Sequence, residues 1–426
     1  MNETMIEKAY DIAAEKYAEF GVSVSDVLKK LNNISLSIHC WQGDDVRGFE
    51  MSGSEPGGGL AVTGNYPGRA GNVTELQEDL NTALSLIPGR HRLNLHAIYG
   101  DFSKFTGDRD SLDYSLYLHW VDWAKNKNLA LDFNASCFGH VKSSDGWTLC
   151  SLEEDKRLFW VEHVKRCREI GEYFGKAIGR PCMHNLWIPD GCKDSTMLRF
   201  ERREKLKQSL SEIYSVHHDR TCLMDSVESK LFGIGSESFV AGSHEFYMQW
   251  VSDYNLRNND NVLLCLDMGH FHPTESVSDK ISSIILFQQQ LLLHISRGLR
   301  WDSDHVAIFD DGLKELMLEI TRAGAIERTH LALDYFDASV NRIGAWVTGA
   351  RSTLMAILFA LLEPQEKIRE YELKGDGLRK LALMEACKAM PYGAVWDYWC
   401  TVNDVPAGVC WLDKIWIYEK DVLSKR

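Results

Sequence analysis

The sequence predicts an α/β fold: a closed (β/α)8 barrel with N-terminal helices and a helical C-terminal extension. Three observations predict it. Eight short apolar runs alternate with longer stretches of helical spacing, and strand–helix alternation repeated that often points to a barrel more than to an open sheet. The first turn, CWQGDDVRGFE, lacks the Gly-x-Gly-x-x-Gly fingerprint that an open nucleotide-binding sheet carries there. The length, 426 residues, suffices for one large barrel with extensions.

In chain order, residues 3–31 come first. Ile6, Ala9, Tyr10, Ala13 and Tyr17 share one helical stripe, Gly21 breaks it, and a second short helix runs through Val27 and Leu31. The eight strand candidates are SLSIHCW (35–41), LNLHAIY (93–99), ALDFNAS (130–136), CMHNLWIP (182–189), LMDSVESKLF (223–232), VLLCLDMGH (262–270), LLLHISR (291–297) and HLALDYF (330–336). Between them lie amphipathic segments such as SLYLHWVDWAKNKN and RLFWVEHVKRCREIGEYFGKAIG. The stretch from Gly43 to Asn72, rich in Gly, Ser and Pro, is long for a barrel loop; a lid and a plain surface insertion explain it equally well. Its glycine cluster, Pro56-Gly57-Gly58-Gly59, follows no strand directly and reads as loop rather than phosphate cradle. Beyond Tyr335 the chain is too helical for one barrel helix, so the barrel is expected over 1–344 and an extension over 345–426.

Composition excludes several classes. A formal charge of −14 disfavours nucleic acid and anionic membranes, which both need basic surface. No apolar run approaches the roughly 20 residues a membrane span needs, and the acidic start MNETMIEKAYD is no signal peptide. The 11 cysteines are odd in number, scattered and without a CxxC pair, as expected of reduced thiols in a cytoplasmic protein. The Asn-x-Thr at Asn72 is then a chance glycosylation match.

Acids and histidines recur at the ends of the later strands: Glu228, Asp267, His270, His294, Asp302, Asp304 and Asp334. Any one of them is better read as a turn or core residue. Together they mark four consecutive strands at one level, where catalytic groups of a barrel sit. Such a cluster repels itself and pays for lost hydration unless divalent cations offset both, so it reads as a metal site for two ions. Asp302 and Asp304, two apart, would point the same way in extended chain and share one ion. Lys230 bears the same relation to Glu228. Oxygen and imidazole donors without thiolate favour Mn²⁺, Mg²⁺ or Co²⁺ over a structural zinc. Earlier strands add His96, Asp132, Asn134, His184, Trp187 and Asp190, of which His96 and Trp187 best suit the rim of a sugar pocket.

With these residues in view, the chain resembles the L-rhamnose isomerase family of the enterobacterial type, itself similar to the xylose isomerase group. The resemblance covers nearly the whole length and is carried by SIHCWQGDDVRGFE, TGNYPG, LNLHAIY, WIPDG, VESKLFGIGSESF, LDMGHFHPTE, RWDSDH and LDYFDASVNRIGAW. It implies a homotetramer whose barrels each hold two divalent ions, usually Mn²⁺, with Co²⁺, Mg²⁺ or Zn²⁺ as substitutes. Glu228, Asp267, His294 and Asp334 would hold the more structural ion; His270, Asp302 and Asp304 the catalytic one, with Asp267 bridging. Asp302, Asp334, Lys230 and His270 would be the catalytic residues, and His96, Trp187 and Lys230 would bind substrate. The Gly43–Asn72 region would close over the sugar's methyl end. The implied reaction is interconversion of L-rhamnose and L-rhamnulose. Hydride transfer from C2 to C1 competes with a cis-enediol route; the absence of an evident carbon base favours the former. An epimerase, a nuclease of abasic DNA and a non-catalytic sugar-binding protein are the rivals on the same barrel.

Overall fold

A computed structural model of the chain describes residues 3–50 and 60–426. Eight parallel strands close into a barrel: β1 (Ser35–His39), β2 (Arg90–His96), β3 (Ala130–Asn134), β4 (Cys182–Leu186), β5 (Leu223–Glu228), β6 (Leu263–Asp267), β7 (Leu291–Ile295) and β8 (Thr329–Leu333). Each pairs with its neighbours in sequence, and β8 returns to β1. All eight lie within or across the apolar runs expected from the sequence. A two-residue antiparallel pair, Gly191–Cys192 with Phe239–Val240, sits outside the barrel.

Alternation along the strands sorts side chains to two faces. Inward, Met183, Leu263, Cys265, Leu292 and Ala332 pack as a small apolar cluster separate from the main core. Outward, Leu, Ile and Val pack under α3 (Val73–Leu84), α4 (Leu118–Asn126), α5 (Glu154–Ile178), α6 (Arg199–Tyr214), α7 (His244–Asn258), α8 (Ser278–Ile285), α9 (Asp311–Arg322) and α10 (Arg342–Leu361). Helix α5 approaches the barrel closely enough that a Cβ at Gly175 would meet the Cys222 carbonyl oxygen at 1.9 Å, so only glycine fits there.

The N-terminal helices form at Glu3–Ala18 (α1) and Val24–Leu31 (α2), with Ser23 capping the second through its hydroxyl. Of the expected stripe, Ile6, Ala13 and Tyr17 are buried, whereas Ala9 is exposed. The extension runs as α11 (Gln365–Leu373), α12 (Gly377–Lys388), α13 (Tyr392–Val402) and α14 (Trp411–Asp421). It folds back on the start of the chain: Tyr398 stacks on Tyr10 at 3.9 Å, and Trp399 donates to Asn32 Oδ1 at 2.7 Å. The boundary expected after residue 344 falls inside α10, a continuous helix whose buried side chains extend from Arg342 to Ala360.

Helix α10 also corrects the expectation about membrane spans. Its 20 residues, with mean hydropathy 1.4, are long and apolar enough to cross a bilayer, but 78% of that stretch is buried inside the protein. Its apolar surface is that of a core helix. All eleven cysteines are free and most are buried. Asn72, the glycosylation match, caps α3 by accepting the Glu75 N–H at 3.0 Å. The Pro56–Gly59 cluster and the middle of the Gly43–Asn72 loop lie outside the described residues. The loop's return is anchored: Tyr66 N–H donates to the Ala338 carbonyl, and Arg342 to the Tyr66 carbonyl.

Candidate active site

Glu228 and Asp267 close strands β5 and β6, His294 is the penultimate residue of β7, and the barrel register sets Asp267 beside His294 and Glu228 beside Cys265. Asp334 follows β8 by one residue. His270 follows β6 on a turn through Gly269, where a Cβ would lie 2.6 Å from Asp302 Oδ1. Two groups result. Glu228, Asp267, His294 and Asp334 present donor atoms within 4.8 Å of one another, and so do Asp267, His270 and Asp302. Asp267 belongs to both.

Distances within the groups are short. His294 Nδ1 lies 3.2 Å from Glu228 Oε2 and 2.9 Å from Asp334 Oδ2. His270 Nε2 is 3.3 Å from Asp302 Oδ2, and Lys230 Nζ is 2.7 Å from the same oxygen. His270 Nδ1 faces the Ser229 carbonyl at 2.9 Å, which fixes the ring and leaves Nε2 toward the pocket.

Electrostatics in the cluster are unbalanced. Burial, reinforced by Asp334, Glu228 and Asp302 against the pull of His270, pushes Asp267 up to about 7. Against burial, Asp267 and Asp302 hold His270, and Cys265 with Glu228 and Asp334 holds His294, well above the ordinary imidazole range. Lys230 is likewise raised by Asp302 and Asp304, and stays charged. Asp267 Oδ2, His294 Nε2 and Asp302 Oδ1 are buried without a hydrogen-bond partner. Buried acceptors left unpaired are costly, and they are the atoms a cation would use. The donor set of oxygens and imidazoles fits hard or borderline divalent ions.

Asp304 departs from the expectation. Its φ of +44° puts it in the left-handed region, so the extended-chain argument that aligned it with Asp302 does not hold. It lines the same pocket but joins neither group of donors.

Of the rim residues, His96 and Trp187 line the pocket, together with Trp41, Phe138, Lys230 and Phe336. Burial lowers His96 to about 3, leaving a neutral ring held edge-on to Trp41 at 4.8 Å. Trp187 packs 5.0 Å from the Lys230 ammonium, and its buried indole N–H has no partner. Asn134 also lines the pocket, with its buried Oδ1 unpartnered, whereas Asp132, Asp190 and His184 serve the scaffold. Asp132 accepts from Arg92, Ser37 and the Met183 N–H below the site. Asp190 ties Thr148 and Cys150 together. His184 points outward to Asp225, and Asn134 donates to Asn94 in the barrel interior.

The sequence reading missed two neighbours of the acids. Asn185 Nδ2 donates to Glu228 Oε2 at 2.5 Å, and Trp41 Nε1 donates to Asp334 Oδ1 at 3.0 Å. Period-two alternation from Met183 places Asn185 inside the barrel and could have found it. Trp41 lies on a short turn (Cys40–Gln42) after β1, where no periodicity applies.

A larger cavity, about 1750 Å³, opens at the opposite end of the barrel between its floor and helices α11 and α12. The pocket over the acids encloses only about 50 Å³. Chemistry outweighs size here, because the acids, imidazoles and lysine converge at the C-terminal strand ends, where barrel enzymes work.

The family model for L-rhamnose isomerase (RhaA) matches residues 4–426. The chain belongs to the L-rhamnose isomerase family. The L-rhamnose isomerase of Rhodopirellula baltica is 50% identical over 422 residues, covering 99% of this chain and 97% of the relative. That of Bacteroides thetaiotaomicron is 50% identical over 100% of this chain and 99% of its own length. That of Salmonella typhimurium is 48% identical over 99% of both. The resemblance drawn from the motifs is thus a family membership along the whole chain.

Proposed function

We propose that the protein interconverts L-rhamnose and L-rhamnulose, an aldose–ketose isomerisation that opens L-rhamnose breakdown, with two divalent ions, natively Mn²⁺, at the strand ends. The observation that carries the reading is the pair of donor groups sharing Asp267 in a chain of this family. Glu228, Asp267, His294 and Asp334 would hold one ion; Asp267, His270 and Asp302 the other, with Asp304 completing its shell. Bound there, such ions polarise the oxygens on C1 and C2 of the open-chain sugar.

The chain's own side chains do the rest. Lys230, kept charged and held by Asp302, supplies a donor for an oxygen gaining negative charge. Trp187 offers its free indole N–H to a hydroxyl, and with Phe138 and Phe336 forms apolar walls that suit a sugar face. His96, neutral, can accept or donate without adding charge. Hydride passes from C2 to C1 while O2 loses a proton and O1 gains one. Among the described residues, the pocket carboxylates Glu228, Asp302 and Asp334 each contact an imidazole or the lysine, which favours the hydride route over an enediol route.

Exposed apolar side chains on α6 (Phe200), on α7 (Leu256), just beyond α8 (Phe287) and on α14 (Trp416 and Ile417) favour assembly, and we assign a homotetramer. A light-scattering mass other than four chains would contradict that. A cytoplasmic location fits the eleven unpaired cysteines. By elements, the extension begins at Gln365.

Metal-stripped protein supplied with L-rhamnose should form no ketose, and added Mn²⁺ should restore turnover. Full turnover in the stripped protein, or none with Mn²⁺ bound, would overturn the assignment.

A further inference from the structure

Cys265 stands two residues before Asp267 on β6, so its side chain faces the same way, into the barrel. It is fully buried at the seam between the apolar interior cluster and the acids, and its register partner is Glu228. A donor atom from each of Glu228, Cys265 and His294 can be chosen so that all lie within 4.8 Å of one another. His294 is itself 98% buried by its 2% exposure, and its Nε2 has no hydrogen-bond partner. The oxygen-and-imidazole description of the site is therefore incomplete, because a sulfur lies directly beneath it.

We propose that Glu228, Cys265 and His294 form an alternative ligand set for a strongly thiophilic divalent cation such as Cd²⁺. This rests on reading Glu228 and His294 as metal-facing groups. Soft ions prefer thiolate, whereas Mn²⁺ and Mg²⁺ prefer oxygen, so the identity of the ion decides which set is used. Binding replaces the S–H bond by a metal–sulfur bond and releases the proton to solvent, with no change of oxidation state. Because the two sets share Glu228 and His294, a thiophilic ion drawn to the sulfur withdraws both donors from the Mn²⁺ site. The protein is then poisoned by soft metals through one buried thiol.

Cd²⁺ is the probe, added at one equivalent to metal-stripped full-length protein. Thiolate-to-metal charge-transfer absorption should appear, and should be lost in Cys265→Ala and in Cys265→Ser; the surface thiols, retained in both variants, serve as the background. With Mn²⁺ present, the Cd²⁺ concentration that halves turnover should rise by about tenfold or more in either variant. The variants' turnover with Mn²⁺ alone should stay near the parent's, since an oxygen-preferring ion does not need the sulfur. Absorption and Cd²⁺ sensitivity unchanged by both substitutions would overturn the proposal. Mn²⁺-dependent turnover with no Cys265-dependent band would sink the thiolate set and leave the isomerase reading intact. A Cys265-dependent band in a protein that never turns over L-rhamnose would support the thiolate set and remove the isomerase reading.

Discussion

Asp302→Asn should lower turnover by at least roughly 10²–10³-fold while leaving the fold intact. The substitution keeps the shape of the side chain and removes one negative charge. That charge stands 2.7 Å from Lys230 Nζ and 3.3 Å from His270 Nε2. With an amide in its place, two cations face each other across a buried pocket with a weaker acceptor between them, and the Asp267–His270–Asp302 group loses its third anionic or imidazole donor. Some stability should be lost with the buried ion pair, but the barrel should still form, because Asp302 lies on the loop after β7 and meets Lys230 and His270 rather than the strand ladder. Circular dichroism and the denaturation midpoint verify the fold. Activity retained at saturating Mn²⁺ would refute the place given to Asp302.

Asp225→Asn should destabilise the protein by about 3–5 kcal/mol without touching the pocket. Asp225 points outward from β5 and is fully buried, as is Arg168 of α5, which meets it through two hydrogen bonds of 3.0 and 2.9 Å. Arg220 adds a third at 3.0 Å. Arg168 also donates to the Ile213 and Val216 carbonyls, so its charge cannot turn away to solvent when the carboxylate is gone. Burial alone would raise the Asp225 carboxyl, but Arg168 and His184 hold it well below the usual carboxylate range. A depressed folded-state pKa contributes stability above the unfolded-state value, about 3.9, that is lost as pH falls toward the folded-state value. The parent should therefore lose this stabilisation progressively below about pH 4, and the variant should lack that component throughout. A urea midpoint for Asp225→Asn within experimental error of the parent at pH 7 would contradict the account.

What the sequence could disclose followed from its periodicities. Apart from His184 and Asp225, the outward faces of the strands are largely apolar, so the runs located every strand. Strand ends were harder. β2 begins at Arg90, before the run that marks it, because Arg92 turns into the barrel to meet Asp132 and so breaks the apolar pattern. β5 stops at Glu228, although the run continues to Phe232, because Ser229 and Lys230 leave the ladder for the pocket wall. The acids of the site were legible because five carboxylates and two histidines at strand ends have no cheap structural explanation. Their partners were not. Trp41 and Asn185 look like ordinary core and strand residues until the barrel closes. Cys265 reads as a small hydrophobe, which it also is, and only the register with Glu228 brings it to the donors. Asp304 lies in the loop closed by the short antiparallel bridge between Arg297 and His305, a feature with no local signature in the sequence.

The most direct test of the central claim, that the strand ends hold a pair of ions bridged by Asp267, is anomalous X-ray scattering from crystals grown with Mn²⁺. The account predicts two anomalous peaks, one among Glu228, Asp267, His294 and Asp334 and one among Asp267, His270 and Asp302. Peaks elsewhere, or none at saturating Mn²⁺, would contradict it.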